Sequence, residues 1–191
     1  MLIYVVRHGE STANRDHVHS GWDDVPLSDA GISDAEKIGD KLKSIRFDHI
    51  YCSDLMRARQ TLEIALPGIQ YDVVPLLREL NVGSLMKKRK DECVSEYGES
   101  YLENVRNRDF TAYGGENRSM IRQRAGIFLQ KLPECVSQKT IAVFTHDGLM
   151  RAFMDLSLKC QIPFQRADCP NGCVSVFRCQ EKDFFLVRWN I

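Results

Sequence analysis

The chain has 191 residues, 43% of them hydrophobic and 27% charged, so it can bury one sizeable core but is short for two domains. Its 26 lysines and arginines balance its 26 aspartates and glutamates, which argues against a nucleic-acid coat and against a membrane-surface binder. The N-terminal apolar run over residues 1–6 is too short for a signal-peptide core, and no later run approaches a membrane span. We therefore expect one cytoplasmic domain, monomeric or homodimeric, without a nucleic-acid or membrane partner.

The seven cysteines are odd in number and have no secretory context, so a disulfide framework is not expected. They lie at positions 52, 93, 135, 160, 169, 173 and 179. The last four crowd the end of the chain but contain no C-x-x-C pair, which argues against a zinc site. Most of these cysteines are predicted to be buried thiols.

Short apolar runs rich in Val and Ile alternate with stretches of helical period, an order typical of α/β proteins. The first strand is predicted over residues 2–6, and the first long helix follows Ser28 or Asp29, either of which can cap it. One face of that helix carries apolar residues at steps of three or four, namely Ile32, Ala35, Ile38, Leu42 and Ile45.

The middle of the chain continues this alternation as far as residue 74. A second strand is predicted over residues 49–52, and Ser53 and Asp54 are suited to cap a helix over about residues 55–66. Residues 71–74 form a third predicted strand. The order strand, helix, strand, helix, strand predicts parallel strands joined by crossover helices.

Residues 84–117 differ from the rest because they contain the basic run 87–90, many acidic residues and no dominant period. We interpret this stretch as an insertion or lid over the sheet, within one domain that spans residues 1–191. Regular elements then return: a helix over about 120–136, a strand over 140–145, a helix over about 148–158, and a hairpin of strands 173–179 and 184–189. The predicted fold is a three-layer α/β/α sandwich around a mostly parallel sheet.

Unusual residues follow three of the predicted strands. Arg7-His8-Gly9-Glu10 follows the first strand, residues 53–57 follow the second, and His146-Asp147-Gly148 follows the strand over 140–145. Ligands of open α/β sheets bind beyond the carboxyl ends of the strands, arginine and helix N-termini bind phosphate, and histidine can accept a phosphoryl group. The sequence therefore predicts a phosphoryl-transfer pocket at this edge.

Two arginines on the helix after the second strand compete for a place in this pocket. Arg57 and Arg59 are two positions apart, so they point about 200° apart around the helix and only one can face the site. Arg57 lies one turn after the predicted cap, and we therefore assign Arg57 to the phosphoryl-transfer pocket.

These motifs resemble those of the histidine phosphatase superfamily, the phosphoglycerate mutase-like family, over nearly the whole chain. The first block is Arg7-His8-Gly9-Glu10-Ser11-Thr12 with Asn14 beyond it, and the second runs from Ser20-Gly21-Trp22 through Pro26-Leu27-Ser28 to Gly31. The third contains Ser53-Asp54-Leu55, Arg57-Ala58 and Gln60-Thr61, with Leu77-Arg78-Glu79 after it. The last two are Gly114-Gly115-Glu116 and Thr145-His146-Asp147-Gly148 with Arg151. Five blocks in order make the resemblance specific.

The resemblance implies that His8 is a nucleophile that becomes a transient phosphohistidine. It implies that Arg7, Arg57 and His146 bind the phosphoryl oxygens, a design that requires no metal or other cofactor. Glu79 is the matched proton donor and later the base, with Glu10 as the second candidate if Glu79 points away.

Other contacts to phosphate or substrate are expected from residues that lie in or beside these blocks. The candidates are Asn14, Gly21, and the backbone near Gly115 and Asp147. Trp22 is suited either to packing or to stacking on a substrate. The basic run 87–90 is either a solvated face or, within a lid, a contact for the far end of an anionic substrate.

Asp147 departs from the pattern of many relatives, which carry a small or neutral residue after the second histidine. A carboxylate at this position puts a negative charge beside a site for a phosphate dianion. The simplest expectation is a side chain that caps the next helix and turns outward, so that Asp147→Gly leaves the chemistry largely intact. The alternative is a contact with a hydroxyl or amine of the substrate.

The function favoured by the resemblance is a phosphomonoesterase that hydrolyses a small phosphorylated metabolite. Mutases of the family carry a longer insertion than the stretch between Glu79 and Glu116 in this chain, so a cofactor-dependent phosphoglycerate mutase is the alternative. A second alternative is a non-catalytic phospholigand-binding protein. An unrelated nucleotide-binding protein is not favoured because no glycine-rich phosphate loop follows the first strand.

Overall fold

The computed structural model describes residues 1–132, 139–161, 163, 166–180 and 183–191, which contain a six-stranded sheet. In chain order the strands are β1 (Leu2–Arg7), β2 (His49–Cys52), β3 (Asp72–Val73), β4 (Thr140–Thr145), β5 (Val174–Gln180) and β6 (Asp183–Arg188). Across the sheet the order is β3-β2-β4-β1-β5-β6. The first four strands of this order are parallel, and the pairs β1–β5 and β5–β6 are antiparallel. The prediction of a mostly parallel sheet with a hairpin at its edge is confirmed.

The helices of the described residues agree with the sequence pattern except for the short α1 and for residues 84–117, the segment that we call the lid. They are α1 (Thr12–Arg15), α2 (Asp29–Leu42), α3 (Met56–Ala65), α4 (Lys90–Asn107), α5 (Arg118–Lys131) and α6 (Asp147–Leu158). Of the long predicted helices, the one over about 120–136 differs most, because α5 ends at Lys131 and residues 133–138 lie outside the described part of the chain. Residues 181 and 182 of the predicted hairpin turn also lie outside it.

Side chains of the central strands alternate between two apolar cores on opposite faces of the sheet. In β4, Ile141 and Val143 belong to one core, which also contains buried residues of α5 and α6. Ala142 and Phe144 belong to the other core, which contains buried residues of α2 and α3. Because strand side chains alternate in direction, each face is covered by one pair of helices, and the three-layer α/β/α sandwich is confirmed.

Two local predictions about α2 and α3 are wrong. Ile32 is 43% exposed, because the buried stripe of α2 passes through Gly31, which packs against the backbone of Glu10. The N-cap of α3 is Leu55 rather than Ser53 or Asp54. The Ser53 hydroxyl contacts a histidine and the Asp54 carboxylate pairs with Arg78, so both side chains are committed elsewhere.

The lid contains a long helix that the sequence pattern did not predict. Helix α4 buries only Cys93 and Tyr101, so its apolar period is too weak to read from the sequence. At Gly98 the helix is interrupted by φ 60° and ψ −139°, a conformation that glycine adopts without steric cost. Cys93 and Tyr101 join the apolar core on the α5–α6 face, which attaches the lid to the sheet.

None of the helices in the described residues has the length and apolar content needed to cross a bilayer.

Candidate active site

The three strand ends that carry the predicted motifs are neighbours in the sheet. Strands β2, β4 and β1 lie side by side and parallel, so residues that follow them meet at one edge. The backbone N–H of His8 donates to the Thr145 carbonyl at 3.0 Å, and the N–H of Ser53 donates to the Phe144 carbonyl at 2.9 Å. These bonds extend the strand pairing by one residue and bring the motifs together.

His8 is a buried, neutral histidine with its tautomer set by the backbone. Its Nδ1 donates to the Gly9 carbonyl at 2.6 Å, which leaves the Nε2 lone pair as an acceptor for Arg57 Nε–H at 3.3 Å. Burial lowers the pKa of His8 well below its usual value, and the positive charges of Arg57 and Arg7 lower it further. The ring is therefore neutral at pH 7, and its unprotonated nitrogen, Nε2, faces Arg57.

Arg57 is fully buried beside His8, whereas Arg59 points away toward Asp24. The guanidinium of Arg57 donates to the carbonyls of Asp23, at 2.9 Å, and Gly21, at 2.8 Å. Burial lowers the pKa of Arg57 to about 10, so the group stays charged at pH 7. These contacts agree with the choice of Arg57 over Arg59, and they show Gly21 holding the arginine through its carbonyl.

His146 follows β4 and lies against His8, with ring centroids 5.1 Å apart. The Ser53 hydroxyl accepts from the Leu55 N–H at 3.3 Å and has its own proton to donate to His146 Nε2 at 2.9 Å. With this pairing we assign the ring proton of His146 to Nδ1. Burial, Arg57 and His8 together hold the pKa of His146 well below its usual value. Within the described residues, this buried Nδ1 has no hydrogen-bond acceptor.

Arg7 ends β1 on the other side of His8. Its Nη1 donates to the Cys169 carbonyl and lies 3.9 Å from a carboxylate oxygen of Asp147. Its Nε is buried without an acceptor in the described part of the chain. Arg7 Nε–H and His146 Nδ1–H are thus two buried donors near the imidazole of His8. Such donors are suited to bind phosphoryl oxygens.

The carboxylate of Glu79 is oriented by two backbone N–H groups, one from its own segment and one from α6. Its Oε1 accepts from the Leu80 N–H at 2.7 Å and from the Gly148 N–H at the start of α6 at 2.9 Å. The Glu79 carbonyl accepts from Trp22 Nε1 at 2.7 Å and from Arg124 Nη2 at 3.0 Å. Because Oε1 is occupied by two donors, Oε2 is the oxygen available to carry a proton.

The positions of Glu10 and Trp22 bear on two alternatives that the sequence left open: which carboxylate is the proton donor, and whether Trp22 packs or stacks on a substrate. The carboxylate of Glu10 accepts from the Ser28 hydroxyl at 2.6 Å, at the N-terminus of α2, so Glu79 is the better candidate for the acid. The Trp22 ring packs against the guanidinium groups of Arg78 and Arg124 at 5.0 and 6.0 Å from their central carbons. Trp22 is therefore a packing residue that holds the Glu79 segment.

The expectation that Asp147 turns outward is wrong. Its side chain is only 11% exposed and contacts the guanidinium groups of Arg108, from the lid, and Arg151, from α6. Burial alone would raise the pKa of Asp147, but Arg108, Arg7 and Arg151 outweigh burial and hold it far below its usual value. The carboxylate is therefore an internal counterion for arginines.

A cavity of about 850 Å³ opens beside Arg7 and Glu79, between the sheet edge and the lid. The lid contributes Lys90, Tyr101, Val105, Arg108 and Phe110 to its wall, and other parts of the chain contribute Asn14, His19, Gly21, Asp147, Arg151 and Cys169. His19 is buried, with Nε2 at 2.7 Å from the Tyr101 hydroxyl. Burial and Lys90 lower the pKa of His19 to about 4.

Asn14 and Gly115 were both predicted to contact phosphate, but only Asn14 lines the cavity. Asn14 lines the cavity, where its side-chain oxygen accepts from Ser11 and from Asn171 Nδ2. Gly115 does not line this cavity, and its N–H donates to the Phe110 carbonyl at 2.9 Å, within the lid. A phosphate contact from Gly115 thus has no support in this geometry.

Several residues of the site were not found by sequence reasoning. Arg108 and Tyr101 lie in the lid, where no motif or period marked them, and Arg108 adopts a left-handed φ of 52° at the end of α4. Ser53 belonged to a recognised block, but its bond to His146 depends on packing between strands. The basic run 87–90 did indicate that the lid contributes a cation to the site, because Lys90 lines the cavity.

Comparison with known proteins agrees with this geometry. A sequence model of the histidine phosphatase superfamily (branch 1) matches residues 3–191. A 2,3-bisphosphoglycerate-dependent phosphoglycerate mutase from Xanthobacter autotrophicus is 30% identical over 163 residues, 80% of this chain and 79% of that protein. An adenosylcobalamin/alpha-ribazole phosphatase from Escherichia coli is 29% identical over 153 residues, 78% of this chain and 75% of that protein.

Solved structures show the same fold. The alpha-ribazole phosphatase from Shigella flexneri superimposes with a TM-score of 0.85 and 26% identity, covering 100% of this chain and 96% of that one. The chain therefore belongs to the histidine phosphatase superfamily. The relatives named here are phosphatases or mutases, which supports an enzyme of this class.

Proposed function

We propose that the protein is a phosphomonoesterase that hydrolyses a small phosphorylated metabolite through a phosphohistidine on His8. The observation that carries the proposal is the neutral His8 ring, whose Nδ1 is bonded to the Gly9 carbonyl and whose Nε2 lies beside Arg57. The buried N–H groups of Arg7 and His146 supply further donors for a phosphoryl group. A nucleophile and an anion site therefore coincide.

In the first step, the lone pair of His8 Nε2 attacks phosphorus and the bond from phosphorus to the ester oxygen breaks. The leaving oxygen takes a proton from Glu79 Oε2. Arg7, Arg57 and His146 donate to the phosphoryl oxygens, where negative charge is concentrated in the transition state. In the free protein Arg57 Nε–H occupies the Nε2 lone pair, so this donor turns to a phosphoryl oxygen as Nε2 attacks.

In the second step, the Glu79 carboxylate takes a proton from water while the water oxygen attacks phosphorus. The bond between Nε2 and phosphorus breaks, and its electron pair returns to His8. Inorganic phosphate leaves, and Glu79 is protonated again for the next cycle. The N–H donors of Leu80 and Gly148 stabilise the carboxylate that this step requires.

The far end of the substrate is proposed to contact the lid. Lys90 lines the cavity, and desolvation together with the charges of Arg7 and Arg108 lowers its pKa. A second anionic group on the substrate would relieve this repulsion. The substrate panel described below therefore includes phosphomonoesters with and without such a group.

A phosphoglycerate mutase is the second candidate, because the Xanthobacter relative carries that name. Mutase and phosphatase share the first step and differ in whether a hydroxyl group of a sugar acid or water receives the phosphoryl group. The short stretch between Glu79 and Glu116 leaves room for water and favours hydrolysis.

The proposal is tested by phosphate release from a metabolite panel with a chelator present, comparing the wild type with His8→Asn and His17→Asn. His17 is exposed at a left-handed φ of 55°, which Asn tolerates, so this variant is a matched control. We expect His8→Asn to lower turnover on the order of 10⁴-fold or more. The control variant is expected to keep full turnover, and an acid-labile phosphohistidine is expected to form only when His8 is present.

Conversion of 3-phosphoglycerate to 2-phosphoglycerate with little phosphate release would replace the phosphatase by the mutase. A His8→Asn variant that retains wild-type turnover would contradict the nucleophile. Tight binding of phosphorylated metabolites without turnover or phosphohistidine would instead indicate a non-catalytic phospholigand-binding protein.

A further inference from the structure

Cys169 and Cys173 form a close pair of buried thiols. Their sulfur atoms lie 3.2 Å apart, and the two residues are 3% and 1% exposed. They flank a tight turn in which the Cys173 N–H donates to the Pro170 carbonyl at 3.2 Å. Gly172 in this turn has a φ of 71°, which favours glycine. The chain thus returns on itself and brings the two sulfurs together.

Hydrogen bonds connect this turn directly to the proposed catalytic residues. The Arg7 N–H donates to the Cys173 carbonyl at 3.0 Å, and the Arg7 guanidinium donates to the Cys169 carbonyl. The Gly172 N–H donates to the His8 carbonyl at 3.1 Å. Any change in the shape of the turn is therefore transmitted to the backbone and side chain of Arg7 and to the backbone of His8.

Access and charge favour reaction of the pair with a small oxidant. Cys169 lines the cavity of about 850 Å³, which offers a route for a small solute. The hydrogen bond between the two sulfurs lowers the pKa of Cys173 against the effect of burial; Arg7 and Arg151 lower it further, and the Asp147 carboxylate opposes them. A thiolate in the pair is stabilised by these donors, and the thiolate is the reactive form of cysteine.

We propose that Cys169 and Cys173 are a modification site, at which hydrogen peroxide oxidises the two thiols to an intramolecular disulfide. One sulfur, as thiolate, attacks a peroxide oxygen, the O–O bond breaks, and a sulfenic acid and hydroxide form, with hydroxide taking up a proton to become water. The second sulfur attacks the sulfenic sulfur, the S–O bond breaks, and a second water leaves with the proton of the second thiol. Two thiols and one peroxide thus give one disulfide and two waters.

The disulfide is expected to lower phosphatase activity, a consequence that rests on the function proposed above. Formation of the bond shortens the sulfur separation from 3.2 Å to about 2.05 Å, a change that the two side chains and the backbone of the turn share. Arg7 is bonded to both ends of the turn and moves with it. Because misplacement of a catalytic group by about 1 Å can reduce rates roughly 10²-fold, we expect a loss of phosphate release of tenfold or more.

The site is tested on the full-length protein by treatment with hydrogen peroxide, alkylation of the remaining thiols and digestion with trypsin. Cleavage after Arg166 and Arg178 gives one peptide, residues 167–178, that contains Cys169 and Cys173 and no other cysteine. We expect this peptide to become lighter by two hydrogen atoms, to escape alkylation, and to revert after treatment with dithiothreitol. Cys169→Ser and Cys173→Ser are expected to abolish the mass change, whereas Cys160→Ser, at an exposed thiol, is expected to retain it.

Phosphate release is measured on the same samples. A peptide that remains alkylated on both cysteines, or that is only over-oxidised, overturns the modification site whatever the activity. If the disulfide peptide forms but neither the reduced nor the oxidised protein releases phosphate, the modification site is supported and the proposed function is overturned. Formation of the disulfide without loss of phosphate release overturns the coupling to Arg7. The mass readout on the wild type needs no variant to fold.

Discussion

At the scale of single residues, the Asp147 carboxylate is balanced by guanidinium groups from three parts of the chain. Arg108 comes from the lid, Arg151 from α6 and Arg7 from the end of β1. The expectation that Asp147→Gly leaves the chemistry largely intact depended on an outward side chain, and this basis is lost. A variant without the carboxylate removes a negative charge that these three arginines share.

We expect Asp147→Asn to lower the free energy of unfolding by about 3–5 kcal/mol at pH 7, because breaking a buried ion pair leaves uncompensated charge. The folded-state pKa of Asp147 is depressed, so its contribution is present above the unfolded value of about 3.9 and is lost only as pH falls below it. Urea denaturation at pH 7 measures the effect. Asp40→Asn, at an exposed pair with Lys43, is the control and should change stability by less than about 0.5 kcal/mol.

At the scale of elements, the lid helix α4 depends on one glycine. Gly98 has φ 60° and ψ −139° inside the helix, a backbone conformation that other residues adopt only under strain. A β-carbon at this position would meet no atom within 4 Å, so a substitution there would be limited by backbone strain and not by crowding. The interruption lets the lid bury Cys93 before it and Tyr101 after it.

We expect Gly98→Ala to destabilise the protein by about 1–3 kcal/mol, the usual cost of a residue held in such a conformation. Gly126→Ala in α5 is the matched control, because a β-carbon there also meets nothing within 4 Å and no positive φ opposes it. The control should stabilise by up to about 1 kcal/mol, since alanine favours helix. Thermal or urea unfolding measures both changes in stability. Destabilisation by Gly98→Ala together with stabilisation by Gly126→Ala supports the strained kink, whereas stabilisation by both variants would contradict it.

At the scale of the whole molecule, three histidines from distant parts of the sequence are buried in neutral form. His8 and His146 lie at the strand ends, and His19 lies under the lid. Burial lowers the pKa of all three, to about 4 for His19 and well below the usual value for the other two. The folded state therefore binds fewer protons than the unfolded state once the pH falls below about 6.5.

The free energy of unfolding is consequently expected to fall with decreasing pH, by roughly 3–4 kcal/mol between pH 7 and pH 5.5 for the three histidines together. Denaturation curves at several pH values measure this slope. His8→Asn should remove about a third of the slope. Stability that stays constant over this range would show that the three histidines are not held neutral by folding.

The fold was largely predictable because strand and helix periods record which side chains are buried locally. The bounds of β2 and β4 follow from short apolar runs, and those of α6 follow from its helical period, whereas α2 ends at Leu42, before Ile45 of the predicted face. Helix α4 was missed because its contacts with the core are few and widely spaced. Strand β3 is shorter than predicted, since only Asp72 and Val73 pair at the sheet edge.

The sequence by itself determined the family, the order of the elements, and the identity of the residues that meet beyond β1, β2 and β4. Motifs at strand ends carry this information because parallel strands bring their carboxyl ends to one edge. Only the tertiary structure decided that Gly9 sets the tautomer of His8, that Ser53 orients His146, and that Asp147 is buried among arginines. These contacts, and the position of the lid beside the cavity, join segments that are distant in the sequence. A local hydrophobic period carries no information about such contacts.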